Sequence, residues 1–177
     1  MGSRPLWLVL TVSGIARWGR DTVTALWSIR APHADDAAAL ADLKIEWSQP
    51  DAEPTDAERA AFAEHLIHWM SARSESLLCR VAVSDGRLIG MAWMVLYERV
   101  PNFDQQRRLS ADLQSVYVIP AMRRRGIGAA LVAELCAEVD SLGIPRTTVH
   151  SSSRAAELYR RAGFARDEMM LSRVRPD

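Results

Sequence analysis

The spacing of apolar residues divides the chain from residue 28 onward into ten predicted elements. Short apolar runs bounded by turn residues predict strands at 28–32, on either side of Asp85–Gly86, at Asp112–Val118, at 146–151 and, as one strand or a pair, at 164–174. Helical spacing predicts helices at Ala34–Trp47, 55–71, Gly126–Leu142 and 153–163. The order β-α-α-β-β-β-α-β-α-β predicts an α/β fold with a mixed sheet and helices on both faces.

Local signals support several of these limits. Thr55 is followed three residues later by Glu58, which is the capping-box spacing of a helix start. Gly143 and Pro145 are expected to end the long helix because glycine favours the C-cap and proline cannot continue it. The polar segment 101–110 predicts a loop.

Residues 28–177 have the length and apolar content of one domain with its own core. Residues 1–27 differ from them and are expected to form an N-terminal extension whose role the sequence does not indicate. Its apolar stretch after Arg4 has some character of a signal peptide, but it is too short to span a bilayer and lacks a small-residue cleavage site. We therefore expect an added strand, helix or surface segment.

Charge and cysteine content limit the partners. The sequence has 22 basic and 22 acidic residues, so no net field attracts nucleic acid or a membrane, and any bound anion needs a local site. Cys79 and Cys136 lie in apolar runs without the spacing of metal ligands. They predict buried thiols in a reducing compartment, the cytoplasm, and no metal.

The junction of the fourth strand and the long helix predicts an anion site. The strand ends at Pro120 and the helix begins at Gly126, which leaves the first amides of the helix unpaired where its dipole also favours negative charge. Arg123–Arg125 add cations, and the glycines let oxygen atoms approach the backbone. The loop lacks the Gly-Lys-Ser/Thr ending of a Walker A motif, and Leu131 replaces the third glycine of a dinucleotide fingerprint.

Two motifs carry a resemblance to a known family. The first is Arg-x-x-Gly-x-Gly, Arg123 to Gly128, which follows Val-Tyr-Val-Ile-Pro after two intervening residues. The second is the closing Ala-x-x-x-Tyr-x-x-x-Gly-Phe segment, carried by Ala155, Tyr159, Gly163 and Phe164. With this spacing and element order, residues 28–174 resemble the GNAT superfamily of N-acetyltransferases.

The resemblance implies acetyl-CoA as donor and a GNAT-like N-acyltransferase fold. The pantetheine is expected along Val116, Tyr117 and Val118, where two strands splay apart and main-chain groups pair with it in the manner of β-augmentation. Ser152 stands where many members have an asparagine that contacts the cofactor. The pyrophosphate is expected on the helix start, lined by Arg123, Arg124, Arg125, Gly126, Ile127, Gly128 and Ala129.

The resemblance also implies catalytic roles. Tyr159 stands at the position of the general acid that protonates the departing thiolate, with a packed core tyrosine as the alternative. Asp112 is the first candidate for the general base, and Glu98, His150 and water are the others. Acidic residues near the turn between the first two helices are expected to attract a cationic acceptor: Asp51, Glu53 and Asp56.

The function expected from this resemblance is direct transfer of the acetyl group of acetyl-CoA to a primary amine of a small molecule, peptide or protein. The alternative is a catalytically silent acyl-CoA-binding sensor or regulatory module on the same fold. Tyr159 favours the enzyme. Nucleic-acid binding is disfavoured because three arginines make no extended basic face. A membrane partner is not expected, and a homodimer stays open.

Overall fold

The computed structural model describes residues 27–175, which form one five-stranded mixed sheet with helices on both faces. The strands are β1 (Ser28–Arg30), β2 (Leu77–Ser84), β3 (Arg87–Arg99), β4 (Arg108–Val118) and β5 (Thr147–Val149), in the spatial order β1-β2-β3-β4-β5. The helices are α1 (Ala37–Ser48), α2 (Asp56–Ser71), α3 (Ile127–Ser141) and α4 (Ala156–Arg161), with 3₁₀ turns at Ala34–Asp36 and Pro120–Met122. The predicted α/β fold class is confirmed.

Each face of the sheet has its own apolar core. On one face α3 and α4 cover residues that include Ala92 and Leu113, and Leu131 and Leu135 of α3 are fully buried there. On the other face α1 and α2 cover a second cluster, centred on Leu40, Leu43, Leu66, Val81, Met91 and Trp93. Burial of this many apolar side chains is the main stabilising contribution to the fold.

The strand directions leave one opening in the sheet. Neighbouring strands are antiparallel except β4 and β5, which are parallel and pair only from Ala111 to Leu113 on β4 and from Thr147 to Val149 on β5. Beyond Leu113, β4 continues for five more residues with β3 on one side and no β5 partner on the other. The two strands therefore separate at the carboxyl end of β5.

Several local predictions are confirmed. The Thr55–Glu58 capping box is formed, and α2 covers the predicted range. Asp85 and Gly86 both have positive φ, as a two-residue type I′ hairpin requires. Gly143 follows α3 with a φ of +68°, and its amide donates to the Asp140 carbonyl in the last turn of the helix at 3.0 Å.

The predicted start of the fourth strand is wrong. β4 begins at Arg108, four residues before the predicted Asp112, because Arg108 to Ala111 pair with Leu96 to Arg99 at the end of β3. Pairing with the long β3 thus places residues 108–110 in a strand, although they belong to the polar segment 101–110 that predicted a loop.

The strand predicted at 164–174 is absent from that segment. Asp167 competes for the backbone amides: its carboxylate accepts from the Met169 amide at 3.0 Å, and its carbonyl accepts from the Met170 amide at 3.2 Å. An aspartate turn of this kind removes donors that a strand ladder would use.

The extension predicted for residues 1–27 lies outside the described residues except for Trp27, which packs against the core on the α3 side. The division into an extension and a domain stays a prediction. No helix among residues 27–175 is long and apolar enough to cross a membrane.

Candidate active site

The start of α3 presents free backbone amides beside the end of β4. The first helical hydrogen bond runs from the Ala130 amide to the Gly126 carbonyl at 3.0 Å, and no side chain caps the helix. The amides of Ile127, Gly128 and Ala129 therefore have no intrahelical acceptor. Together with the helix dipole they suit an anion at the position where the sequence predicts an anion site, and that assignment stays a prediction.

The two glycines of the loop have different structural roles. Gly126 has a φ of +80°, and a Cβ built there would meet nothing within 4 Å, so the position requires glycine for its backbone conformation. A Cβ at Gly128 would lie 3.2 Å from Leu158 Cδ1 of α4. Sequence reasoning assigned both glycines to ligand access; in the structure Gly128 also lets α4 approach α3.

The three arginines are held differently. The Arg123 Nε donates to the Val118 carbonyl at 2.9 Å, and its guanidinium lies 5.5 Å from the centre of the Tyr117 ring. Arg124 and Arg125 are exposed, and within residues 27–175 neither takes part in a hydrogen bond or an ion pair. Arg124 has a φ of +63°, which turns the loop toward the helix start. Two of the three cations at this site are thus available to a ligand.

A bulge kinks β4 where it separates from β5. Met91 pairs with Tyr117 and Trp93 pairs with Gln114, so β4 has one residue more than β3 in this interval, and Ser115 takes a φ of +48°. Beyond the bulge, Val116 and Val118 pack on the α3 side. Tyr117 packs on the α1 side, and its hydroxyl donates to Glu46 Oε2 at 2.9 Å.

Tyr159 lies on α4 with its ring buried against Phe164, the ring centres being 5.8 Å apart in an edge-to-face arrangement. Its hydroxyl has no hydrogen-bond partner among residues 27–175. Burial raises the pKa of this phenol above its usual value, so the proton is retained at neutral pH. The ring packs as a core residue would, while the hydroxyl remains available as a donor.

The carboxylate of Asp112 accepts two hydrogen bonds, from Thr148 Oγ1 to Oδ1 at 2.9 Å and from Gln114 Nε2 to Oδ2 at 2.7 Å. Because residues two apart on a strand share a face, Asp112 lies on the same face as Gln114. Glu98 is exposed farther along β3, opposite Leu109, and is not brought to this region.

The loop after β5 contains His150 and Ser152, and both are exposed. The Ser152 carbonyl accepts from the Ala155 amide at 3.0 Å and thereby shapes the turn into α4. Among residues 27–175 no cluster of three or more histidine, cysteine, aspartate or glutamate side chains could hold a metal ion.

A pocket of about 220 Å³ lies between α1, α2 and the sheet, and it is not among the features predicted from the sequence. It reaches the β4 bulge at Gln114 and Ser115. Its other lining residues come from α1, α2, β2 and β3: Lys44, Phe62, His65, Leu66, Trp69, Leu77, Trp93 and Val95. One signal for it was present in the sequence, because Lys44 is the only lysine and lies directly between the apolar residues Leu43 and Ile45 of a predicted helix.

Of the three acidic residues expected near the acceptor, Glu53 lines a neighbouring hollow. Glu53 and Glu58 line this hollow together with Phe62, which also lines the pocket of about 220 Å³. Both carboxylates are engaged, Glu53 by Arg59 and Glu58 by the backbone and hydroxyl of Thr55. Asp51 and Asp56 line neither cavity.

The chain is similar to known proteins both in sequence and in fold. A relative, glucosamine 6-phosphate N-acetyltransferase from Trypanosoma brucei brucei, is 29% identical over 86 residues, which are 49% of this chain and 56% of the relative. The chain thus spans about half the length of the curated relative it matches.

Solved structures extend the likeness to most of the chain. An acetyltransferase from Clostridium acetobutylicum, crystallised with acetyl-CoA, superposes with a TM-score of 0.66 at 16% identity over 84% of this chain and 96% of that one. An acetyltransferase from Trypanosoma brucei gives the same TM-score at 22% identity, over 84% and 99% of the two chains.

The family model of the GNAT acetyltransferases covers the helices, the bulged strand, the free helix start and the closing tyrosine segment. It matches residues 40–164, which include every site residue named above. The chain therefore belongs to the acetyltransferase (GNAT) family.

Proposed function

We propose that this protein transfers the acetyl group of acetyl-CoA directly to a primary amine of a small molecule or peptide. The observation that carries the proposal is the free start of α3 beside the unpaired edge of β4, in a chain of the GNAT family. The amides and the cations of Arg124 and Arg125 suit a pyrophosphate. The open β4 edge at 116–118 suits the amides of a pantetheine arm.

Acetyl transfer needs a neutral amine, a polarised carbonyl and a proton for the leaving thiolate. The amine nitrogen forms a bond to the carbonyl carbon, the carbon–sulfur bond breaks, and the sulfur takes a proton. We assign that proton to Tyr159, because its hydroxyl is protonated at neutral pH and unpaired among the described residues. The amine loses its proton to a base, and the tyrosinate takes up a proton from solvent, to which the base in turn releases the amine proton.

Asp112 is our candidate for removing the amine proton. Its carboxylate lies on the face of the sheet that carries the pocket and is hydrogen-bonded to Gln114, a pocket residue. A water molecule can connect an amine in the pocket with this carboxylate. Glu98 and His150 are weaker candidates because both are exposed and, among residues 27–175, neither is hydrogen-bonded to a residue that lines the pocket.

An acyl-CoA sensor on the same fold would use the helix start and the β4 edge, but it would need neither Tyr159 nor a second pocket. Both features favour the enzyme over the sensor.

The experiment measures thiol release from acetyl-CoA with pooled amines and identifies the product by mass spectrometry. Acetylation of an amine would support the transferase. Calorimetric binding of acetyl-CoA without thiol release from any pool would support the sensor instead.

We place the protein in the cytoplasm, as the sequence predicted. Its two cysteines are not joined by a disulfide, and Cys79 is buried, as expected in a reducing compartment. The homodimer stays a prediction, which sedimentation equilibrium tests directly.

A further inference from the structure

Lys44 is the only lysine in the sequence, and it lies in the wall of the pocket beside the β4 bulge. Its ammonium donates to the Ser115 hydroxyl and lies 4.2 Å from the centre of the Trp47 ring. It is partly buried. α1 therefore brings one cation to the point where β4 opens away from β5.

This ammonium has no counter-ion among residues 27–175. No carboxylate lies within ion-pair distance of it, and the lining of the pocket contains no aspartate or glutamate. Burial lowers the pKa of Lys44, which is the expected response of a cation that loses water without gaining an anion. Charges in partly buried positions are normally paired, so the position suits an anion supplied by a ligand.

Apart from His65, Gln114 and Ser115, the rest of the pocket lining is apolar and aromatic. The Trp69 and Trp93 rings meet edge to face with centres 6.4 Å apart, and Phe62 adds a third ring. Flat apolar walls suit a ring-bearing ligand. At about 220 Å³ the pocket is smaller than the cavities that hold drug-sized ligands, about 300–1,000 Å³, so we expect a small acceptor.

We propose that the acceptor is an arylalkyl α-amino acid, whose carboxylate pairs with Lys44 and whose ring lies against Trp69 and Trp93. This inference rests on the proposed function. In such a molecule the amine is attached to the carbon next to the carboxylate. An anion held at Lys44 therefore places the amine beside Ser115, at the opening of β4.

Two matched pairs of acceptors test the role of the anion: phenylalanine against phenethylamine, and tryptophan against tryptamine. Within each pair only the carboxylate differs. We expect kcat/KM to be at least about tenfold higher for the amino acid, because a charge-assisted hydrogen bond in a partly buried site is stronger than a neutral one. Spermidine, a polycation, is expected to be the poorest acceptor.

Lys44→Met should abolish the preference within each pair while acetyl-CoA binding and the melting temperature stay near wild type. Lys44→Arg should keep part of the preference, because it keeps the cation. Arg87→Met is the matched control: it removes one positive charge from the exposed first residue of β3 and should leave the preference unchanged.

The single lysine allows a measurement that does not depend on turnover. Reductive methylation with ¹³C-formaldehyde keeps the charge of lysine and labels only Lys44 and the chain N-terminus. The Lys44→Met variant assigns the two NMR signals. Phenylalanine should shift the Lys44 signal at concentrations where phenethylamine does not.

The outcomes separate the two proposals. Equal kcat/KM within both pairs, or a preference that survives Lys44→Met, would overturn the role of Lys44 and leave the transferase standing. An unshifted Lys44 signal with phenylalanine would overturn it as well. Absence of thiol release with every amine, in protein that binds acetyl-CoA, would overturn the transferase itself, and the NMR titration would still decide whether the pocket binds the anion.

Discussion

The two sides of the candidate site are built in different ways. The donor side consists mainly of backbone: the free amides at the start of α3, the unpaired edge of β4 and the positive φ of Gly126. The acceptor side consists of side chains, from Lys44 on α1 to Trp69 on α2 and Trp93 on β3. Main-chain geometry can be specified by a few neighbouring residues, whereas the pocket needs residues from distant parts of the chain.

This difference in construction corresponds to a difference in selectivity. A backbone site recognises a phosphate or an amide without regard to the rest of the ligand. A side-chain pocket selects by shape and charge, and a single residue such as Lys44 can decide which acceptor enters. We therefore expect changes on the donor side to affect every reaction of the protein and changes on the acceptor side to affect the choice of amine.

The largest effect is expected at Gly126. Gly126→Val should reduce acetyl-CoA binding below detection by calorimetry, because a β-branched residue strongly disfavours the left-handed conformation that turns the amides outward. Gly126→Asn is the matched control, since asparagine tolerates that conformation, and it should bind far better than the valine variant. Wild-type affinity in Gly126→Val would show that the donor side is elsewhere.

The next effect is expected at Tyr159. Tyr159→Phe should lower kcat by at least about tenfold, because the acidic proton is lost while the packing against Phe164 remains. The melting temperature and acetyl-CoA affinity should stay near wild type. Phe164→Leu is the converse control and should lower stability by about 1 kcal/mol with little change in kcat. An unchanged kcat in Tyr159→Phe, with chemistry shown to be rate-limiting, would leave the tyrosine as a core residue.

A smaller effect is expected from a single cation on the donor side. Arg124→Gly removes the charge and suits the positive φ of this position, so the loop should keep its shape. We expect acetyl-CoA binding to weaken by about 1–2 kcal/mol, because the amides and Arg125 share the anion. Calorimetry at two salt concentrations measures this weakening. The salt dependence of acetyl-CoA binding should also become shallower, because one cation is lost. A loss as large as that of Gly126→Val would contradict the dominance of the backbone.

The smallest effect is expected at Asp112, between the two sides. Asp112→Asn should lower the rate by about fivefold near pH 6, where most of the amine is protonated and needs a base, and much less near pH 9. Acetyl-CoA affinity should not change. Glu98→Gln, an exposed carboxylate on β3, should match wild type across this range. Full activity of Asp112→Asn from pH 6 to 9 would leave proton removal to water or His150.

Sequence reasoning predicted most of the fold because its signals are local. The capping box at Thr55, the hairpin turn at Asp85–Gly86 and the glycine after α3 each lie within a few residues of the element they define. The segment 164–174 has apolar residues typical of a strand, but the Asp167 side chain accepts a hydrogen bond from the amide of Met169. A side-chain hydrogen bond of this kind is not visible in a hydrophobic pattern.

The same distinction between local and long-range signals explains which parts of the candidate site could be predicted. The loop of the candidate anion site could be located from the sequence because Arg123 to Gly128 are consecutive and follow a strand. The pocket could not, because Lys44 meets Ser115 across 71 positions of sequence and only the packing of α1 on the sheet brings them together. The register shift that exposes Ser115 also depends on the pairing of β4 with β3 and leaves no mark in the spacing of apolar residues.

The bulge in β4 has a consequence for how this strand can change in evolution. It adds one residue to β4 relative to β3, so Gln114 and Ser115 both line the pocket although they are neighbours in sequence. Removing Ser115 would leave the alternation of faces before and after it intact, because the strand would simply regain its regular pairing. A one-residue deletion could therefore preserve both apolar cores while straightening the edge on which we place the donor. We expect acetyl-CoA binding to depend more on the length of this strand than on the identity of any one of its side chains.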